Sequence, residues 1–70
     1  SDPEAGAVNM DLDRLLDQLP LKQRNAIRLV KIEDMSVREA AEQSSISESD
    51  VKVSIHRGLK KLSRIINGGA

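Results

Sequence analysis

Apolar side chains recur along the chain at three- and four-residue intervals, and no stretch alternates with the two-residue period of a strand. Leu12, Leu15, Leu16 and Leu19 form one stripe, which predicts a helix from about Asp11 to Leu19 with Asp11 as its N-cap. Pro20 ends that segment, since it lacks a donor and clashes with a preceding turn, yet it fits the start of a following helix. A second helix is expected from about Leu21 to Ile32. It would turn Ala26, Ile27 and Val30 inward, with Lys22, Arg24, Arg28 and Lys31 mostly outward.

The run "SVRE", Ser36 to Glu39, has the form of a capping box, in which the Ser hydroxyl and the Glu carboxylate each satisfy a backbone donor. It predicts a short third helix with Val37, Ala40 and Ala41 as a small apolar face. "SESD", Ser47 to Asp50, is a similar start with Asp in place of the usual Glu. A long fourth helix should follow to about Ile66, and the "NGG" of Asn67 to Gly69 is a natural stop. Its apolar stripe is Val51, Ile55, Leu59 and Leu62, expected to pack against Ile27, Val30, Val37 and Ala41 in a single core. The fold class is therefore all-α, four helices without strands.

A short helix, a turn of about three residues around Ile46 and then a long helix is the layout of a helix-turn-helix. Ala41 would lie where the two helices cross closely, and Ile46 would plug the core from the turn. A plain helical hairpin produces the same pattern, so spacing alone does not separate the two.

Length and composition narrow the function. Seventy residues suffice for one small domain. Cysteine is absent, so no disulfide supports the core, and no apolar run approaches the roughly 18 residues of a membrane span. Aromatic residues are absent too, which removes the stacking platform of most single-stranded nucleic-acid binders. The first nine residues read as an interdomain linker or a tag, residues 10–66 as the domain with its motif at about 36–64, and 67–70 as a tail. The net charge of zero hides a gradient: residues 1–20 carry −4, residues 21–46 carry +1 and residues 47–70 carry +3. From Val51 to Leu62 every charged side chain is basic. That pattern suits a helix facing a polyanion.

From Leu19 to Leu62 the chain resembles region 4 of bacterial sigma factors, in particular the extracytoplasmic-function group. The likeness rests on "LP" followed by Arg24, on "MSVREAAE", on "IS" in the turn and on "VK" followed by "HRGLKKL". The acidic, Leu-rich segment before them matches the helix that usually precedes the motif. The resemblance implies a four-helix, winged-helix-like helix-turn-helix domain that binds double-stranded promoter DNA at the −35 element while docked on the flap of the RNA polymerase β subunit. It implies a cytoplasmic protein, with an anti-sigma factor as a further partner and no cofactor. By position, the family's DNA-facing residues fall on Ser47, Ser49, Lys52, Val53, His56 and Arg57. Lys60, Lys61 and Arg64 would continue the same side along the phosphate backbone, and Arg38 would add a phosphate contact from the third helix. Two positions depart from the family pattern. Ser45 stands where the turn usually has Gly, which requires a non-glycine in a left-handed or strained backbone. Ser54 stands where Arg is frequent, which removes one phosphate contact. Val53 is apolar on the groove face and suits a thymine methyl group.

Other chemistry finds little support. His56 has no second His and no Cys to complete a metal site. Asp11, Asp13 and Asp17 precede an apolar stripe without a companion His and read as a solvated face. No nucleophile–base pair, Gly-rich phosphate loop or metal set is present, so an enzyme is not expected. The rival readings are a protein-interaction module that binds a regulator, and the output domain of a helix-turn-helix response regulator.

Overall fold

The computed structural model describes residues 12–68; the Asp11 cap, the linker and the last two residues lie outside them. Four helical segments follow one another. They are α1 (residues 12–17), α2 (Leu21–Ile27, continued by a π-helical turn, Arg28–Ile32), α3 (Val37–Ser44) and α4 (Glu48–Gly68). The described residues contain no strand. Their order and punctuation follow the hydrophobic pattern, with Pro20 at the N-cap of α2.

The end of α2 departs from the expected regular helix. Glu33 N–H donates to the Arg28 carbonyl at 2.9 Å, one residue beyond the α-helical partner, and Met35 N–H reaches the Leu29 carbonyl at 2.9 Å. Asp34 then takes a left-handed backbone, φ 59°. The widened turn lets the chain reverse into the start of α3.

At that start the capping box is complete. Glu39 N–H donates to Ser36 Oγ at 3.0 Å, and Ser36 N–H donates to Glu39 Oε1 at 3.1 Å. The Ser36 backbone donor, and then its hydroxyl, hold the Glu39 carboxyl below the usual carboxylate range. The opposite end of α3 closes on Ser45, at φ 58° and ψ 40°, the strained position expected where Gly is usual. Ile46 N–H donates back to the Ala41 carbonyl at 3.1 Å, the long bond of a Schellman ending. Ser47 caps α4, its Oγ accepting from Asp50 N–H at 3.0 Å. The Asp50 carboxylate does not return to Ser47 as a capping box would; it pairs with Lys22 of α2 at 3.1 Å.

The core has two lobes joined by Ile55. One holds Leu16, Leu19, Ile27 and Leu62; the other holds Ala26, Ala40, Ala41 and Val51, with Val30, Val37 and Ile46 half-buried against it. Leu16 and Val51 are fully buried, each worth about 1.5–3 kcal/mol in apolar transfer. Leu59 corrects the expected stripe, since it is 43% exposed. Steps of four residues advance about 40° around a helix, so the second step from Val51 leaves the core face. Gly58 and Ser54 occupy the α2-facing side instead, and both are buried. Arg24 and Arg28, expected outward, are half-buried and pair with Asp17 at 3.1 Å and Asp13 at 3.5 Å, which ties α1 to α2.

At Gly58 the two long elements touch. A Cβ there would lie 2.5 Å from Ile27 Cδ1 and 3.3 Å from Gln23 Cβ. No helix among the described residues is long and apolar enough to cross a membrane.

Two substitutions test these constraints by thermal or urea unfolding. Ser45→Gly should stabilise the domain by about 0.5–1 kcal/mol, because relief of the left-handed strain exceeds the added freedom of the unfolded chain. No gain would mean that the strain at Ser45 does not exceed the entropic cost of the added glycine. Gly58→Ala should lower the unfolding midpoint. The helix-propensity gain of about 1 kcal/mol is outweighed by crowding of the buried Ile27, which costs about 1–3 kcal/mol. A raised midpoint would show slack at the crossing.

Candidate nucleic-acid interface

The second helix of the motif, α4, presents its polar side to solvent because Val51, Ile55 and Leu62 turn the other side to the core. At about 100° per residue, Val53, His56, Lys60 and Arg64 fall on the side opposite Val51. All four are exposed, as are Ser49, Lys52 and Arg57. Val53 is 45% exposed, an apolar group in the middle of a polar surface.

The remaining expected contacts differ in kind. Ser47 is exposed; its oxygen accepts one bond in the α4 cap, and its O–H remains free to donate outward. Arg38 stands on α3 and makes an exposed i,i+4 pair with Glu42 at 3.5 Å, a contact weak enough to exchange for a phosphate. Lys61 corrects the expectation that it lies on the same side as Lys52. Nine residues turn a helix by about half a revolution beyond whole turns, so the two lysines occupy opposite flanks of α4. Ser54 is a further correction. At 6% exposure it faces the interior, so its being Ser rather than Arg removes no contact from the exposed face.

Charge is partitioned between the elements. Lys22, Arg24, Arg28 and Arg38 are each paired with a carboxylate of the same chain. Lys52, Arg57, Lys60, Lys61 and Arg64, all on α4, have no such partner among the described residues. Intramolecular ion pairs therefore neutralise much of α2 and α3 and leave the field of α4 uncompensated. A chain with zero formal charge thus carries a concentrated positive face.

One element of the surface was not legible in sequence. A cleft of about 560 Å³ runs between α2 and the second half of α4, lined by Gln23, Arg57, Lys60, Lys61, Arg64 and Ile65. Gln23 Oε1 is buried and has no hydrogen-bond partner. Gln23 belongs to a different helix from the basic cluster, and no sequence spacing connects them; only the Gly58 crossing does.

Residues 9–62 match the family described as sigma-70, region 4. Over 60 residues the chain is 43% identical to the "ECF RNA polymerase sigma factor SigF" of Caulobacter vibrioides (strain NA1000 / CB15N), covering 86% of this chain and 33% of that protein. The chain thus spans about a third of the length of that curated relative. No solved structure matches it. The family match takes in α1, α2, α3 and most of α4, with the whole turn and the basic face as far as Lys61. The chain belongs to the sigma-70 region 4 family, as a DNA-binding helix-turn-helix domain of the sigma-factor type.

Proposed function

We propose that the domain recognises the promoter −35 element through α4 while docked on the flap of the RNA polymerase β subunit, in the cytoplasm. The observation that carries the DNA side is the set of five unpaired cations on one exposed helix, beside an α2 and α3 in which Lys22, Arg24, Arg28 and Arg38 are each paired and Lys31 alone is not. The first turns of α4, with Ser49, Lys52, Val53, His56 and Arg57, would enter the major groove, where Lys or Arg can donate to guanine acceptors and Val53 can meet a thymine methyl. Lys60, Lys61 and Arg64 lie further along, where the helix leaves the groove and phosphates are within reach, and Arg38 would add a phosphate contact from α3. The residue span 10–66 is proposed as the functional unit.

The protein-binding side is supported by apolar exposure. Leu59 and Ile66 lie two turns apart on one stripe of α4, at 43% and 57% exposure, flanking the α1 packing site. A polymerase surface or an anti-sigma factor would gain by covering that stripe. Lys60 and Arg64 lie on the side of α4 away from this stripe, whereas Lys52 heads it two turns before Leu59, so a protein partner on the stripe and DNA at Lys52 would meet at one edge.

Binding of the domain to duplex DNA should be salt-sensitive. For roughly four neutralised phosphates, log K should fall with log salt at a slope of about −3.6. Removing the charge of Lys60 should flatten the slope by about one unit on all sequences alike. A salt-independent affinity measured by fluorescence anisotropy would favour the protein-interaction reading.

Arg57→Ala should separate base reading from phosphate grip. In the intact sigma factor with polymerase, transcription from a matched −35 element should fall more than from a scrambled one, the difference corresponding to about 1–3 kcal/mol for one good base contact. Equal losses on both templates would place Arg57 on phosphate alone.

A further inference from the structure

Gln23 and the α2–α4 cleft form the strongest unexplained feature of the molecule. We propose that the cleft seats the phosphate backbone of one DNA strand, with Gln23 holding Lys61 in place, while Lys52 on the opposite flank meets the other strand. The inference rests on the DNA reading above and adds to it a residue and a division between the strands.

Three observations lead there. First, a helix with its side chains is about 10–12 Å across and the major groove about 12 Å wide, so a helix in the groove turns its two flanks to the two backbones. Lys52 and Lys61 occupy those opposite flanks, and Lys61 lines a cleft shared with Gln23 of α2. Secondly, the cleft on that flank gathers four cations, Arg57, Lys60, Lys61 and Arg64, and no carboxylate lines it. None of the four is ion-paired among the described residues, so the cleft presents concentrated positive charge without an internal counterion. Thirdly, Gln23, which lines the same cleft, has a buried carbonyl oxygen without a donor. A lysine ammonium has three donors and no acceptor, so Lys61 can give one hydrogen to Gln23 Oε1 and still direct the others at a phosphate. The unsatisfied oxygen is then a preset anchor that is completed when the lysine is drawn in over a strand.

Gln23 acts through Lys61 and is a positioning residue. Its role is separable from a structural one by the sign of two measurements. Gln23→Leu removes a buried acceptor that has no partner, so the thermal midpoint should hold or rise. Duplex affinity should nevertheless fall by about two- to tenfold, the size of one net hydrogen bond, and the effect should vanish in a Lys61→Ala background. A midpoint that falls together with affinity, or the same loss in the Lys61→Ala background, would overturn the positioning role.

The strand assignment is tested by tethered cleavage. The chain contains no cysteine, so Lys52→Cys and Lys61→Cys each supply a single attachment point for an iron chelate that generates hydroxyl radicals. On a duplex selected by the 70-residue chain from a random pool, the two probes should cut opposite strands. Cuts on the same strand, or none from position 61, would remove the cleft from the interface while leaving DNA binding itself intact. Failure of the unmodified chain to select any duplex would sink the DNA reading, and the cleft assignment with it.

Discussion

The close approach of α2 to α4 at Gly58 is the constraint on which the rest of the structure depends. With hydrogen in place of a side chain, Ile27 lies on the α4 backbone and the two helices share one core lobe. That contact fixes the rotation of α4 about its own axis. Once the Gly58 and Ser54 side faces α2, and Val51 and Ile55 face α3, the polar side has nowhere to go but outward. Presentation of the basic face is thus a consequence of packing on the reverse side of the same helix.

Electrostatics follows from the same arrangement. The acidic segment before Pro20 is not an idle solvated face, because Asp13 and Asp17 reach the two arginines of α2. These pairs are exposed and contribute little stability each. Their larger effect is on the field: they cancel charge on the scaffold and leave it on α4, so that a neutral chain can still attract a polyanion. Formal net charge would have hidden this. The charge gradient along the chain pointed the right way but did not distinguish paired from unpaired cations.

What was legible in the sequence was local. The capping box at Ser36, the turn through Ile46, the cap at Ser47 and the left-handed demand on Ser45 all depend on neighbours within a few residues, and each holds in the structure. What was not legible depended on rotation and on distant partners. Leu59 satisfied a periodic template and yet stands exposed, because repeated four-residue steps drift off the buried face. Ser54 read as a surface site missing an arginine and is interior. Lys61 read as a continuation of Lys52 and lies on the other flank. Gln23 carried no signal, since its importance comes from a helix more than thirty residues away.

Ser45 and Gln23, one strained and one unsatisfied, sit at different levels of this design. Ser45 lies in the turn that sets the angle between α3 and α4, where a left-handed residue is required by the reversal of the chain whatever its side chain. Its strain is a cost of geometry, and removing it should leave the binding face unchanged. Gln23 is different. Its buried oxygen lacks a partner, four of the five other residues lining the cleft are cationic donors, and nothing in the backbone requires an amide there. A leucine of similar size would serve packing at least as well. An unpaired polar group that packing does not need, placed beside four free cations, is best understood through what those cations bind.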